Sequence, residues 1–209
     1  MRISRVVAIA VLALMVGVVG QATADTLAIS PSNINAVPDA RDYTTGWAFS
    51  TSGALSVTAL GYLDAGRNGL NGPHDVGIFT SGGALLVHAV VPSGNAGTLV
   101  GDYRFISIAP FNLAAGSYVI GGHNLGNATD DIAVSTSGFN PAAGITLGSL
   151  DLFTFGPTLA FPDQHSTLQY ANPNFEFASA STAVPAPATV MLLSLGLVGI
   201  GGYAWRRRS

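Results

Sequence analysis

Cysteine and lysine are both absent from this 209-residue chain, and charged residues make up only 9% of it. The lack of cysteine excludes disulfides, thiolate metal sites and cysteine nucleophiles. The central part of the chain also lacks the 3.6-residue apolar stripe of an amphipathic helix. A body without disulfides or helices has to be stabilised by an apolar core between strands.

Positive charge is scarce in the central part of the chain, residues 25–183. There, three arginines stand against all eleven acidic residues, which gives a formal charge of −8. Nucleic acids and anionic lipids are bound through lysine and arginine side chains that neutralise phosphate. The sequence therefore excludes nucleic acid as a partner.

The N-terminus has the three parts of a secretory signal peptide. Arg2 and Arg5 precede an apolar run over 6–19, and Ala22-Thr23-Ala24 forms a small-x-small cleavage site. This pattern predicts a signal peptide over 1–24 and Asp25 as the mature N-terminus. The alternative, an uncleaved membrane anchor, is disfavoured because the apolar run is short.

The C-terminus also has three parts in a fixed order. A proline-rich segment is followed by the uncharged run 188–205, which as a helix would span roughly 27 Å, close to the thickness of a hydrocarbon core. Arginines beside a span remain cytoplasmic, so the body is expected outside the cytoplasm. The alternative is a buried C-terminal helix. The residues of the first and last parts are Val184, Pro185, Ala186 and Pro187, then Arg206, Arg207 and Arg208.

This tail resembles the PEP-CTERM sorting signal of exported Gram-negative proteins. The resemblance implies anchoring in the inner membrane and processing by an exosortase-like enzyme, often in organisms that make exopolysaccharide. Processing would deliver the body to the cell surface or the extracellular space. Ala186 stands where the family has glutamate, which leaves two outcomes open: a sorting signal that is removed or an anchor that stays.

For the body, residues 25–180, the pattern predicts an all-β, antiparallel β-sandwich of jelly-roll-like or Ig-like type. Apolar and polar residues alternate through 54–63, and Ser81-Gly82-Gly83 is a hairpin signal between two apolar runs. Phe153 and Phe155 on one strand and Phe175 and Phe177 on another suggest paired aromatic strands. A linker over 181–187, a transmembrane helix over 188–205 and a basic tail over 206–209 complete the predicted organisation. The predicted strands are 26–30, 46–50, 54–63, 75–80, 84–91, 102–108, 117–122, 132–135, 145–155 and 174–178.

Residues 46–122 are also similar to a group of uncharacterised exported β-sandwich domains. In that group, a glycine-rich hairpin precedes an aromatic strand, a proline-containing turn and a Tyr-Val strand. The resemblance implies the fold and no chemistry.

The loop from Asp64 to Asp75 is the candidate metal site. Asp64, Asn68 and Asp75 supply the oxygen ligands that calcium prefers, at EF-hand-like positions 1, 5 and 12. The alternative is a loop between strands that is closed by Asx turns. No other cofactor is expected.

No pattern in the sequence selects a catalytic site. A G-x-S-x-G elbow is absent, the four histidines lack metal-ligand spacing, and Asp130 and Asp131 are expected on opposite faces of a strand. We therefore expect an exported surface or extracellular-matrix protein with a structural or binding role, and not an enzyme. The alternatives are a carbohydrate-binding module acting on exopolysaccharide and, third, a secreted hydrolase. The aromatic residues considered for sugar contacts are Tyr43, Trp47, Tyr62, Tyr103 and Tyr170.

Overall fold

The computed structural model describes residues 25–126, 130–134 and 137–179. These residues form fourteen β-strands and no helix, so none of them forms a helix able to cross a membrane. The predicted signal peptide, linker, transmembrane helix and basic tail lie outside the described residues. The strands are β1 (Thr26–Leu27), β2 (Ala36–Pro38), β3 (Tyr43–Thr51), β4 (Leu55–Leu63), β5 (His74–Thr80), β6 (Leu85–Val91), β7 (Thr98–Val100), β8 (Tyr103–Leu113), β9 (Gly116–Asn124), β10 (Asp131–Ala133), β11 (Ile145–Leu147), β12 (Leu152–Phe155), β13 (Gln164–His165) and β14 (Pro173–Ser179).

The strands pair in three antiparallel sheets. One has the order β1-β14-β4-β8-β7, and a larger one has the order β13-β12-β3-β9-β5-β6, with β11 also paired to β3. Strands β2 and β10 form a separate two-stranded ribbon. The prediction of an all-β, antiparallel body is confirmed.

The two large sheets share one apolar core. Trp47 of β3 and Phe175 of β14 belong to different sheets, yet their rings stack with centroids 6.1 Å apart. The indole nitrogen of Trp47 donates a hydrogen bond to the Pro173 carbonyl over 2.9 Å, so its polar group is satisfied although the side chain is fully buried. Burial of such aromatic surface is the main stabilising term for a body without cross-links. Other buried members of this core are Val57, Leu60, Ile78, Ile120 and Phe105.

The predicted hairpin at Ser81-Gly82-Gly83 is confirmed. It joins β5 to β6, and Gly83 has a φ of 91°, a backbone conformation that glycine adopts without strain. Strand β8 is longer than predicted and continues through Pro110. Pro110 lies in a bulge, because Val57 pairs with Phe111 and Ala59 with Ser107. Strand β7 pairs with only the first three residues of β8, so the missing N–H of Pro110 removes no bond on that side.

The prediction for 145–155 is wrong in one respect, since this stretch is split into β11 and β12, which both pair with β3. The predicted pairing of the two phenylalanine strands is also wrong. Strand β12 pairs with β3 and β13, whereas β14 pairs with β1 and β4 in the other sheet. Alternation of aromatic residues reports a half-buried strand but contains no information about the partner strand.

The ends of the strands define two ends of the body. Leu55, at the start of β4, pairs with Leu113 and with Ser179, the last residue of β14. Thr51, at the end of β3, pairs with Gly116 and Ile145. The end of β14 therefore lies at the same end of the body as the turns next to Thr51, Leu113 and Ile145. We call this the tail end, with loops 52–54, 81–84, 114–115 and 142–144. The opposite end is called the far end, with loops 39–42, 64–73, 101–102 and 125–126.

Gly46 provides a test of how closely β3 and β9 approach. A Cβ atom added to Gly46 would lie 2.0 Å from the Ile120 carbonyl oxygen, whereas a Cβ added to Gly53 meets nothing within 4 Å. We expect Gly46→Ala to lower the free energy of unfolding by about 1–3 kcal/mol through overpacking. Gly53→Ala, the same substitution in open space, is expected to change it by less than about 0.5 kcal/mol. Urea unfolding of both variants measures these differences in stability. Equal stabilities would contradict the close pairing of β3 with β9 at Gly46.

Candidate functional site

A buried His74–Asp130 pair lies at the far end. His74 is the first residue of β5, and its Nε2 lies 2.9 Å from an Asp130 carboxylate oxygen. Its Nδ1 lies 2.9 Å from the His123 carbonyl, and the Tyr62 ring stacks on the imidazole with centroids 3.7 Å apart. His74 is fully buried, so the pair is removed from solvent.

Asp130 also holds the loop that precedes β5. Its two carboxylate oxygens accept hydrogen bonds from the backbone N–H groups of Asn71 and Gly72, over 2.8 and 3.0 Å. Burial alone would raise the pKa of Asp130, but the bonds from His74 and from these N–H groups outweigh it and hold the pKa below its ordinary value. The carboxylate therefore stays charged and fixes loop 64–73 in place.

Asp64, at the start of that loop, forms a buried ion pair with Arg104. Its carboxylate accepts the backbone N–H groups of Asn68 and Gly69 and pairs with Arg104 Nε at 2.7 Å. Both partners of the ion pair are nine-tenths buried or more. The Asp64 side chain thus closes the loop through bonds to residues four and five positions later, a longer span than the two residues of an Asx turn. Arg67 points away, to Asp102 at 2.8 Å.

Asp39 forms a third polar cluster at the far end. Its carboxylate accepts bonds from the Arg41 guanidinium and from the Tyr43 hydroxyl, the latter over 2.9 Å. Burial would raise the pKa of Asp39, but the hydrogen bonds from Arg41 and Tyr43 lower it overall. Asn124 donates to the backbone carbonyls of Asp39 and Arg41, which links this cluster to the end of β9.

A cleft of about 130 Å³ opens between these loops, and its lining is polar and acidic. Asp64 and Asn68 line it, together with Asp130 and Asp131. Asp75 is not among the lining residues and instead lies 3.2 Å from His88 on β6. The structure thus brings together two of the three residues predicted to bind calcium. Within the described ranges, no three His, Cys, Asp or Glu side chains form a group that could hold a metal ion. The calcium site stays a prediction.

The aromatic residues considered for sugar binding do not form an exposed platform. Tyr43, Trp47, Tyr62, Tyr103 and Tyr170 are each at most 4% exposed. Their expected availability at loops is wrong, because the strands on which they lie turn these side chains into the interior. Among the described residues, Phe155 is the one aromatic residue that is largely exposed, at 59%.

Sequence reasoning missed the pairing of His74 with Asp130 and of Asp64 with Arg104. The partners are 56 and 40 residues apart, and no local spacing signals such a contact. The side chains of the remaining histidines contact other groups: His88 contacts Asp75, His165 contacts Asp151, and His123, whose carbonyl bonds to His74, contacts the Gly156 carbonyl. Chemically, the far end is a set of buried, hydrogen-bonded carboxylates that hold loops, beside an acidic cleft.

The fold and the far end define an acidic, all-β domain with antiparallel sheets. Comparison with known families adds the identity of the other functional element, because residues 183–208 match the family model of the PEP-CTERM protein-sorting motif. The predicted recognition of this motif is confirmed. Such a tail implies export, membrane association and exosortase-type processing. A search of the curated proteins gave no match.

Asp39 provides a pH test of the far end. Its lowered pKa contributes stability that is fully present above the ordinary aspartate value of about 3.9 and is lost as pH falls through the folded-state value. We expect Asp39→Asn to lower the free energy of unfolding by about 1–2 kcal/mol at neutral pH. The difference should shrink as the pH falls below about 4 and the carboxyl becomes protonated, as measured by urea unfolding. Asp42→Asn, at a neighbouring exposed acid, is the control, and a difference independent of pH would contradict the pairing.

A substitution of Asp64 distinguishes its role in the ion pair with Arg104 from its predicted role as a calcium ligand. Asp64→Asn leaves the buried Arg104 without its charged partner, which is expected to cost about 3 kcal/mol and to lower the melting temperature equally with calcium or with a chelator. Asp102→Asn is the control. Asp102 pairs with Arg67 and is more exposed than Asp64, so its loss should have a much smaller effect. A calcium-dependent rise in melting temperature that Asp64→Asn abolishes would support the calcium site instead.

Proposed function

We propose that this chain is an exported protein whose body is held at the outer face of the inner membrane by the PEP-CTERM tail. Cleavage near that motif by an exosortase-like enzyme then releases the body to the cell surface or the extracellular matrix. The observation that carries the proposal is the match of residues 183–208 to the sorting motif, which three residues separate from the end of β14, the last strand among the described residues. The expected signal peptide over 1–24 supplies the export step.

For the body, we infer a β-sandwich with a structural role and no enzymatic activity. Support for the sandwich comes from the core that both large sheets share. Support for a structural role comes from the far end, where the buried carboxylates accept hydrogen bonds that hold loops. An exopolysaccharide-binding role is less well supported, because the aromatic residues considered for it are buried. Specific retention of the purified body on an exopolysaccharide column would contradict a purely structural role.

Ala186 is the residue that tests the sorting step. In the host cell, intact mass spectrometry of the recovered protein should show chains that end near Pro187. Ala186→Glu restores the carboxylate of the family motif, and we expect it to raise the processed fraction. Ala180→Glu places the same side chain before the matched residues and is the control. If the tail is retained in all three proteins, the processing step of the proposal is wrong, and the tail is a permanent anchor.

A further inference from the structure

The four loops of the tail end contain no charged side chain, and the nearest acid is Asp25, which precedes the Thr26–Phe177 pair near the end of β14. These four loops, 52–54, 81–84, 114–115 and 142–144, consist only of serine, glycine and alanine. The loops 52–54 and 142–144 lie side by side, because the Ser52 N–H donates to the Gly144 carbonyl over 3.3 Å. Together they form a surface of small, uncharged residues around the end of β14.

The far end has the opposite character. It contains all three arginines of the body and seven of its eleven acidic residues, which leaves it with an excess of four negative charges. Of the other four acids, Asp25 and Glu176, on or beside β1 and β14, are the closest to the tail end, and Asp151 and Asp163 lie beside β12 and β13. The far-end acids are Asp39, Asp42, Asp64, Asp75, Asp102, Asp130 and Asp131.

The chain connects the sorting tail to the uncharged end. Strand β14 stops at Ser179, and four residues separate it from Val184 at the start of the motif. Even a fully extended chain covers at most about 18 Å over that step, and about 32 Å to residue 188, where the apolar run begins. The far end is farther from this attachment by the length of a nine-residue strand, about 30 Å.

We propose that the tail end is the surface that faces the lipid headgroups while the protein is anchored, and that the acidic far end points away from the membrane. This inference rests on the proposed anchoring by the tail. The partner is a bilayer surface that contains anionic lipid.

Electrostatics and loop size both favour this orientation. At physiological ionic strength, the Debye length is about 8 Å, so acids held about 30 Å from an anionic surface are screened from it. Turning the body over would bring the far-end acids within that distance, where like charges repel. The small side chains of the tail-end loops, by contrast, allow close approach without desolvation of a charge.

The lack of cysteine makes the orientation directly measurable with single fluorophores. Ala54→Cys and Ala115→Cys place a label on the tail end, and Ala96→Cys places the same label on an exposed loop that contacts the far end through the Leu70–Gly94 bridge. The full chain with each label would be reconstituted in vesicles of phosphatidylglycerol and phosphatidylethanolamine that contain a headgroup-attached quencher. We expect quenching several-fold stronger at positions 54 and 115 than at 96. Equal quenching, or stronger quenching at 96, would overturn the proposal.

Two further arms identify the cause and the partner. Replacing the anionic lipid with phosphatidylcholine, or adding Ala54→Asp to the chain labelled at position 115, should reduce the difference, and no change in either arm would overturn the electrostatic argument. Label self-quenching at the tail end that grows with protein density would indicate a second copy of the chain as the partner, and would also overturn it. Flotation of the vesicles checks anchoring separately: chains that do not float with lipid contradict the proposed anchoring, whereas floating chains without the difference contradict only the orientation.

Discussion

Packing between the two large sheets is the interaction on which the rest of the body depends. The chain has no cysteine, so no covalent link can hold one sheet on the other. Trp47 and Phe175 make that contact from opposite sheets, and the indole N–H is satisfied by the Pro173 carbonyl. The close approach of β3 and β9 at Gly46 depends on the absence of a side chain there. Loops at both ends are positioned by strands that this core holds together.

Buried charge at the far end follows from the length of its loops. Loop 64–73 runs between β4 and β5 without strand pairing of its own beyond the Leu70–Gly94 bridge, so its N–H groups need other acceptors. The carboxylates of Asp64 and Asp130 supply these acceptors. Arg104 pairs with the buried charge of Asp64, and His74 hydrogen-bonds to Asp130. Asp64 and Asp130 therefore have structural roles that the amino-acid composition of the chain does not reveal.

The two ends of the body differ in charge. Uncharged loops of small residues surround the strand that leads to the sorting motif, and the hydrogen-bonded acids are gathered at the opposite end. In a protein that is anchored before it is processed, this places seven of the eleven acids of the body far from the site of attachment, with Asp25 and Glu176 closer to it. The sorting motif implies export and membrane anchoring, and the proposed orientation of the body follows from its charge distribution.

The sequence by itself determined the sorting motif, the all-β class, most of the long strands and the hairpin at Ser81-Gly82-Gly83, because these depend on local order, on residue alternation and on glycine in a tight turn. Short strands such as β2, β7 and β13 have too few residues to show alternation. Which strands pair, and therefore where Phe153 and Phe175 lie relative to each other, was decided only by the tertiary structure. The same is true of His74 with Asp130 and Asp64 with Arg104, since contacts between residues 40 or more positions apart depend on strand order and register, which local sequence does not encode.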